Sequence, residues 1–338
     1  MTSSPSPSDA VDVLAVEDPV AAFVQAHDSG RDVLLRTSGS SGAPRVVRRT
    51  TASWVDSFPH VERLASFGAT SRAFVPASLT GTMNLFACVH ARFVGAPVVE
   101  VATDATHWFL TPTALRGLLD GGSAREGVVA VVAGDRLDVA LHDRATAAGL
   151  LVHHYYGAAE LSFVAWGPHE DALRPFPDVE IDVRDGEIRV RSPWVSRGYA
   201  TGTGGWRQDP DGFATVGDRG ALVDGALRVA GRDDVVLTGG ATVRVADVEG
   251  SLRADATGAL AVVGVPHPTL GAVVAIALED AQDLAVLRAA ARTRLDAVAR
   301  PRLWFHVAPF PRTDSGKTDR ATLASMLAAL PPSVRRLT

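Results

Sequence analysis

One short segment of the chain combines small hydroxyl residues with glycines in a pattern suited to binding phosphate. The segment from Thr37 to Arg45 reads Thr-Ser-Gly-Ser-Ser-Gly-Ala-Pro-Arg and directly follows a predicted strand over residues 31–36. Backbone N–H groups and hydroxyls of such a loop can surround a phosphate, and Arg45 would neutralise its charge. The segment lacks the Lys-Ser/Thr ending of a Walker loop. Because Ser/Gly-rich stretches also serve as linkers, the pattern alone leaves both interpretations open.

A second candidate for chemistry is the single lysine of the chain. The sequence contains 33 Lys and Arg residues, and Lys317 is the only lysine among them. An arginine fork is wide and keeps its charge, whereas lysine is a compact point charge on a thin stem. A lysine kept in such an arginine-rich chain therefore indicates a site where a guanidinium would not fit. Chance survival of one lysine is the alternative.

Further stretches occur in an order that is known from one enzyme superfamily. They are Tyr156–Glu160, Gly198–Tyr199 leading on to Asp211–Asp218, Gly231–Asp234 before Thr238–Val243, and Pro311–Arg320. Together with Thr37–Arg45, these stretches resemble the motifs of the adenylate-forming enzymes. That superfamily includes acyl- and aryl-CoA synthetases, the adenylation domains of nonribosomal peptide synthetases, and luciferases. The resemblance extends from about Val33 to Leu330.

The resemblance implies a reaction and three catalytic residues. Members of the superfamily activate a carboxylate with ATP, release pyrophosphate and hold an acyl-adenylate, which a thiol then attacks. Lys317 would bridge the attacking carboxylate and the α-phosphate, Glu160 would bind Mg²⁺, and Arg45 would act with the phosphate loop. A carboxylate and a triphosphate repel each other, so cations must neutralise and align both for in-line attack.

The resemblance also assigns binding residues around this centre. Those implied for ATP and the adenylate are Thr37, Ser38, Gly39, Ser40, Ser41, Gly42, Gly134, Asp135, Tyr156, Gly157, Asp218 and Arg232. Asp218 would accept hydrogen bonds from the ribose hydroxyls, and Ala158 and Ala159 would lie at the acyl pocket. A small C-terminal domain would rotate about a hinge at Asp233 or Asp234, and the sequence leaves that choice open.

Several positions depart from the family pattern. Arg45 stands where lysine is usual, and Ala159 replaces the threonine that usually precedes the magnesium-binding glutamate. Segment 75–81 lacks the Asp that would pair with an α-ammonium group, so we expect a carboxylic acid without an α-amine. The chain ahead of Thr37 is also short, so we expect a missing N-terminal subdomain that forms one pocket wall in full-length relatives. A homodimer that supplies this wall is one hypothesis.

The resemblance therefore predicts an ATP-dependent acid–CoA ligase with Mg²⁺ as cofactor and AMP and pyrophosphate as coproducts. A stand-alone adenylating enzyme that loads a small carboxylic acid onto an acyl carrier protein is the alternative. A non-catalytic nucleotide-binding protein is less favoured, because the glutamate, aspartate and lysine positions are all kept. Arg45, Arg48 and Arg49 form a basic group near the phosphate loop, which fits the 3′-phosphate of coenzyme A, ATP, or a solvated surface.

The pattern along the chain predicts an α/β fold. Strands predicted at 31–36, 73–76, 97–102, 127–133 and 151–156 alternate with helices predicted at 18–27, 81–93, 112–119 and 137–148. This alternation indicates βαβ units and a parallel sheet. From about residue 175, short strands with Asp-Gly turns predict a distorted antiparallel barrel section. The predicted domains are a flexible N-terminus (1–18), a large ATP- and acyl-binding domain (19–232) and a small, mobile α+β domain (233–338).

The composition narrows the class of protein further. The chain is 46% hydrophobic and 21% charged with a net charge of −5, and its basic residues are scattered, which argues against a nucleic-acid partner. A single cysteine, Cys88, excludes an internal disulfide framework and a cysteine-based zinc site. No apolar run approaches the roughly 18 residues of a membrane span, and no signal peptide is evident. We therefore expect a cytoplasmic protein.

Overall fold

The structure, a computed structural model, describes residues 10–37, 45–202, 205–232, 235–313 and 318–338. This part of the chain divides into two compact units, the first ending at Val229 and the second beginning at Ala230. The division falls just before the predicted boundary between residues 232 and 233, and the domain assignment stays a prediction. Among the helices of these ranges, none has the length and apolar character needed to cross a membrane.

The bounds of the elements are as follows. The helices of the first unit are α1 (Pro19–Asp28), α2 (Ala52–Val55), α3 (Phe58–Ala65), α4 (Thr82–Val94), α5 (Pro112–Asp120) and α6 (Val139–Ala147). Its strands are β1 (Ala10–Asp12), β2 (Asp32–Thr37), β3 (Arg45–Thr50), β4 (Ala73–Phe74), β5 (Val98–Val99), β6 (His107–Leu110), β7 (Val129–Val132), β8 (Leu151–Ala158), β9 (Ser162–Gly167), β10 (Arg174–Pro175), β11 (Glu180–Arg184), β12 (Glu187–Arg191), β13 (Tyr199–Thr201), β14 (Arg207–Gln208), β15 (Ala214–Thr215), β16 (Asp218–Val223) and β17 (Ala226–Arg232), which runs across the division. The second unit contains β18 (Val235–Thr238), β19 (Ala241–Arg244), α7 (Val245–Leu252), β20 (Leu260–His267), β21 (Gly271–Leu278), α8 (Leu284–Arg294), β22 (Leu303–Val307), α9 (Arg320–Ala329) and β23 (Val334–Leu337).

A parallel sheet forms the centre of the first unit, as the alternating pattern predicted. Its strand order is β10-β9-β8-β7-β6-β4-β5. Strands β8, β7, β6, β4 and β5 are parallel, β9 is antiparallel to β8, and β10 is antiparallel to β9. Every residue of β6 and β7 is buried, as expected for strands that are covered on both faces. Val132 lies beside His154 in the register, so Gly134 and Tyr156, two positions further along, lie at the same carboxyl edge. Ligands of open α/β sheets bind at this edge.

A smaller sheet in the order β1-β2-β3-β13 corrects the prediction for the N-terminus. Residues 1–18 were expected to be flexible, but Ala10–Asp12 pairs in parallel with β2, and Val13 is fully buried. The flexible-terminus prediction is therefore wrong for residues 10–13, which form β1 and bury Val13. Residues 1–9 lie outside the described ranges.

The short strands after residue 175 form an antiparallel sheet, as predicted. Its order is β14-β15-β12-β16-β17, and β11 pairs with the same strand β12. The predicted Asp-Gly turn joins β11 to β12, with φ +52 at Asp185 and +78 at Gly186. Two successive left-handed residues match the twist of a tight hairpin, which explains why this dipeptide occurs here.

The second unit is an α+β structure, also as predicted. Its sheet has the order β19-β18-β21-β22-β23, with β20 paired along the whole of β21. Alternate residues of β21 enter two different apolar clusters: Ile276 packs with Leu287 of α8, whereas Ala275 packs with Leu323 of α9. The period of a strand thus explains how one sheet buries helices on both faces.

Candidate functional site

Glu160 occupies the tight turn that joins β8 to β9, at the carboxyl edge of the parallel sheet. Ala158 pairs with Ser162 across the hairpin, and the Leu161 N–H donates to the Ala158 carbonyl at 3.1 Å. Although it lies on a turn, Glu160 is only 3% exposed. Burial of a carboxylate is costly unless hydrogen bonds or a cation compensate for the lost water. The burial of Glu160 therefore indicates that nearby hydrogen-bond donors or a cation stabilise its carboxylate.

Tyr199 supplies the first part of that environment. Its Oη donates a hydrogen bond to Glu160 Oε1 at 2.7 Å. Burial, and then the hydrogen bond to Glu160 and its charge, raise the pKa of Tyr199 to about 12, so the phenol stays protonated as a donor. The Arg45 guanidinium lies over the Tyr199 ring, 5.8 Å from its centroid. The structure thus brings together two predicted catalytic residues, Arg45 and Glu160, through Tyr199.

The sequence alone does not reveal this role of Tyr199, although the Gly198–Tyr199 dipeptide belongs to one of the motifs. The strand pairing explains the contact. Arg45 begins β3 and pairs with Thr37, so the candidate phosphate segment starts and ends on neighbouring strands. On its other side β3 pairs with β13, where Tyr199 lies beside Val47. The strand that leaves the phosphate segment therefore also positions the hydrogen-bond donor to Glu160.

Arg49 lies on the same face of β3 as Arg45 and is fully buried. Its Nη1 donates to the Ala159 carbonyl at 2.8 Å, its Nη2 to the Trp194 carbonyl, and its Nε to Ser53 Oγ at 2.9 Å. Burial lowers the pKa of Arg49 to about 9, and the Glu160 charge partly opposes this change. The guanidinium is therefore protonated at neutral pH.

The three neighbouring arginines do not form one cationic surface. Arg48 points to the opposite face of β3, where its Nε pairs with Asp32 at 2.6 Å. Arg49 is enclosed, and Arg45 lies against Tyr199. The interpretation of this group as a single solvated or phosphate-binding patch is wrong, because the strand period sends adjacent side chains to opposite faces.

Tyr156 and Asp218, two predicted nucleotide-binding residues, are in direct contact. The Tyr156 Oη donates to Asp218 Oδ2 at 2.7 Å. Tyr156 belongs to β8 of the parallel sheet and Asp218 begins β16 of the antiparallel sheet. Asp218 is only 9% exposed. The contact places a buried carboxylate beside the carboxyl edge, where it could accept hydrogen bonds from a diol.

The structure explains why position 157 is a glycine, which the sequence alone does not reveal. A Cβ at this position would lie 2.3 Å from the Ser162 carbonyl oxygen, a distance that no side chain tolerates. The register shifts between Tyr156 and Gly157, and this bulge brings the two strands together. Ala158 and Ala159 follow as half-buried residues, and the Ala159 carbonyl accepts the bond from Arg49. Their contribution to an acyl pocket stays a prediction.

Gly134 and Asp135 follow β7 at the same edge. Gly134 adopts φ +87, in the left-handed region that favours glycine. Asp135 is exposed, and its Oδ1 accepts a hydrogen bond from the Arg136 N–H at 2.8 Å. Both residues lie where the prediction placed them, on the loop beside β8, and contact with adenine stays a prediction.

The remaining predicted residues lie outside the described part of the structure. They are Ser38, Gly39, Ser40, Ser41, Gly42, Asp233, Asp234 and Lys317, together with the side chains of Thr37 and Arg232. Their assignments rest on the sequence alone.

The donor set around Glu160 fits a magnesium ion that arrives with a nucleotide. The carboxylate is buried, and its Oε1 accepts a hydrogen bond from Tyr199. Mg²⁺ is typically held by one or two carboxylates together with substrate phosphates rather than by an all-protein cage. The described ranges contain no group of three His, Cys, Asp or Glu residues that could hold a metal.

Comparisons with known proteins identify the family of the chain. The family model of the AMP-binding enzyme matches residues 15–200, and that of the AMP-binding enzyme C-terminal domain matches residues 252–317. An uncharacterised acyl–CoA ligase of Bacillus subtilis, YhfT, is 26% identical over 86% of this chain and 67% of its own length. The 2-succinylbenzoate–CoA ligase of Salmonella typhimurium is 26% identical over 71% of this chain and 56% of its own length. The chain thus spans only part of these relatives.

Solved structures show the same fold. An Escherichia coli MenE variant with bound OSB-AMS has a TM-score of 0.77 at 21% identity, over 89% of this chain and 70% of that one. The family models cover more than half of the chain, and the curated relatives are named as acyl–CoA ligases. The chain therefore belongs to the AMP-binding enzyme family of the adenylate-forming superfamily, as an enzyme of the acid–thiol ligase, acyl-CoA synthetase class.

Proposed function

We propose that this protein joins a carboxylic acid without an α-amine to coenzyme A at the expense of ATP. The observation that carries the proposal is the buried Glu160 carboxylate, which accepts from Tyr199 Oη at 2.7 Å beside Arg45. A hydrogen-bonded carboxylate next to a cation at the end of a phosphate-type segment suits the binding of a nucleotide triphosphate with its metal. The CoA-ligase names of the curated relatives support the same reaction.

The first half-reaction places each residue in a role. The substrate carboxylate oxygen attacks the α-phosphorus of ATP, the bond to the β-phosphate oxygen breaks, and pyrophosphate leaves. The Thr37–Arg45 segment and the Arg45 charge bind the β- and γ-phosphates, and Lys317 aligns the carboxylate with the α-phosphate. Glu160 would hold Mg²⁺, which would supply positive charge to the phosphate oxygens.

Further residues bind the rest of the nucleotide. Asp218 accepts hydrogen bonds from the ribose hydroxyls while Tyr156 orients its carboxylate at 2.7 Å. Gly134 and Asp135 line the adenine side. In the second half-reaction the thiolate of coenzyme A attacks the acyl carbon, a thioester forms, and AMP leaves. A hinge at Asp233 or Asp234 would let the small domain serve both half-reactions.

The proposal is tested by pyrophosphate release from ATP with a panel of carboxylic acids, with and without coenzyme A. We expect release that depends on the acid, is absent with α-amino acids and is accelerated by coenzyme A, with AMP as coproduct. A Lys317→Gln variant should lose this release and still bind ATP. Acid-dependent release that ignores coenzyme A would instead assign a carrier protein as the thiol acceptor. No release with any acid from protein that binds ATP would contradict the proposal.

The oligomeric state of the protein is a separate question. We propose that the protein acts as a homodimer, and sedimentation of the active protein tests this. An active monomer would contradict the homodimer.

A further inference from the structure

Arg49 is a charged side chain that the proposed reaction does not use, yet it is fully buried. Its three guanidinium nitrogens donate to Ser53 Oγ, the Ala159 carbonyl and the Trp194 carbonyl. The guanidinium carbon also lies 5.5 Å from the centroid of the Trp54 ring. Enclosing a cation in a protein is costly unless its donors are satisfied by specific partners. Such an arrangement indicates that the arginine holds its partners in a defined geometry.

The two backbone acceptors belong to the two segments that enclose Glu160. The Ala159 carbonyl lies in the turn, one residue before Glu160. Trp194 begins the segment that leads to Tyr199, and within it the Ser196 N–H donates to the Glu160 carbonyl at 2.7 Å. Arg49 therefore connects the turn that carries the carboxylate with the segment that carries its hydrogen-bond donor.

The planar guanidinium is suited to this connection. Two of its nitrogens reach two carbonyls from one rigid group, whereas a lysine ammonium is a single point donor. Arg45 and Arg49 lie on the same face of β3, four residues apart. The strand that follows the phosphate segment therefore also carries the side chain that bonds the Glu160 turn. No contact between Arg49 and the reacting atoms is required.

We propose that Arg49 is a positioning residue for Glu160, which fixes the turn so that the carboxylate accepts the metal of metal–ATP. The inference rests on the proposed function, because it presupposes that Glu160 binds the metal of metal–ATP. Residues of this kind, one shell away from a ligand, typically change metal affinity about 10- to 100-fold when they are replaced.

Binding of Mn²⁺–ATP in the absence of any acid tests the inference without turnover. Calorimetric titrations with ATP, in Mn²⁺ and in EDTA, give the metal-dependent gain in affinity for the wild type and for Arg49→Gln and Arg49→Lys. We expect Arg49→Gln to reduce this gain about tenfold or more. Arg49→Lys should reduce it less, because one ammonium can reach one carbonyl. Affinity for metal-free ATP should change little in both variants.

Arg48→Gln is the matched control. Arg48 is the next residue of β3, and its Nε pairs with Asp32 at 2.6 Å on the opposite face, away from Glu160. We expect it to lower stability toward urea while the metal-dependent gain stays at the wild-type value. A loss of the gain in this control as well would overturn the proposal, because it would show a general effect of destabilising β3.

The outcomes separate the two proposals. A folded Arg49→Gln protein with the wild-type metal-dependent gain overturns the positioning role alone. If Arg49→Gln does not fold, the Lys variant decides: an unchanged gain in folded Arg49→Lys overturns the role. A wild-type protein that gains no affinity for ATP from the metal overturns the metal–ATP part of the proposed function and this inference together.

Discussion

A hydrogen bond of 2.7 Å from Tyr199 Oη to Glu160 Oε1 joins two residues that are 39 positions apart in the sequence. The donor is a neutral phenol and the acceptor a buried carboxylate, so the bond is charge-assisted. It fixes one oxygen of the Glu160 carboxylate.

We expect Tyr199→Phe to weaken adenylation about tenfold or more, because a hydrogen bond to a charged group contributes about 1.5–3 kcal/mol. The effect should appear as a higher Mg²⁺ concentration for half-maximal pyrophosphate release. Tyr155→Phe is a suitable control, since that ring stacks on Trp166 and no described residue bonds its hydroxyl. Equal metal dependence in both variants would argue against the assignment of Glu160.

The contact between Tyr156 and Asp218 predicts how the enzyme recognises the ribose. We expect Asp218→Asn to raise the KM for ATP and to reduce the preference for ATP over 2′- and 3′-deoxy-ATP. A site that binds a hydroxyl discriminates against analogues lacking it, because its polar groups would be left unpaired. Tyr156→Phe should have a smaller effect in the same direction, since it loosens the carboxylate without removing it. Undiminished discrimination in Asp218→Asn would place the ribose elsewhere.

A buried histidine predicts acid sensitivity of the fold. His90 is fully enclosed, with its ring stacked on Phe58 at 4.3 Å and Glu62 Oε1 at 3.5 Å from its Nε2. Burial lowers the pKa of His90 from 6.5 to about 3. Between these values the unfolded chain binds a proton that the folded protein does not, so stability falls as the pH falls from 6.5 toward 3.

At pH 5 this difference amounts to about 2 kcal/mol. The free energy of unfolding, measured with urea, should fall between pH 7 and pH 5 in both proteins. We expect this fall to be about 2 kcal/mol smaller for His90→Leu than for the wild type. Parallel pH profiles of the two proteins would contradict the buried neutral histidine.

An ion pair in the second unit predicts a large effect of one substitution. Arg320 donates to both oxygens of Glu249, at 2.6 and 2.8 Å, and the Val262 N–H donates to the same carboxylate at 2.7 Å. Because Glu249 is only 8% exposed, Arg320→Gln would leave a buried charge poorly compensated. We expect a loss of about 3 kcal/mol in the free energy of unfolding.

Arg294→Gln provides the contrast for this measurement. Arg294 pairs with Asp255 at the surface, with 48% of its side chain exposed. A surface pair contributes about 0–1 kcal/mol, so this variant should unfold near the wild-type urea concentration. Similar losses for Arg320→Gln and Arg294→Gln would show that burial of Glu249 does not control the stability of the unit.

Local signals determined a good part of the fold. Helix α5 was predicted at 112–119 and spans Pro112–Asp120, because Thr111 caps its first turn, Pro112 suits its first position and Gly121 follows its end. Helix α4 ends before Gly95, whose φ of +76 terminates it, close to the predicted end at 93. Edge strands were less accurate: 97–102 was predicted as a strand, but only Val98–Val99 pairs. Strand ends depend on partners that the local sequence does not specify.

Strand β3 shows the limit of the sequence most clearly. Its residues Arg-Val-Val-Arg-Arg-Thr suggested a basic surface, because arginine is mostly exposed. The Arg49 side chain can be buried because the carbonyls of Ala159 and Trp194, 110 and 145 positions away, accept its hydrogen bonds. No pattern within β3 could have revealed acceptors supplied by turns so far away in the sequence.

The sequence by itself determined the family, the alternation of elements and the residue types of the site, since motifs and periodicity are local properties. Only the tertiary structure decided which of these residues meet. The pairing of β3 with β2 on one side and β13 on the other places Arg45, Tyr199 and Glu160 together. The physical reason is that strand register and burial are set by contacts across the whole unit, and these contacts join residues far apart in the chain.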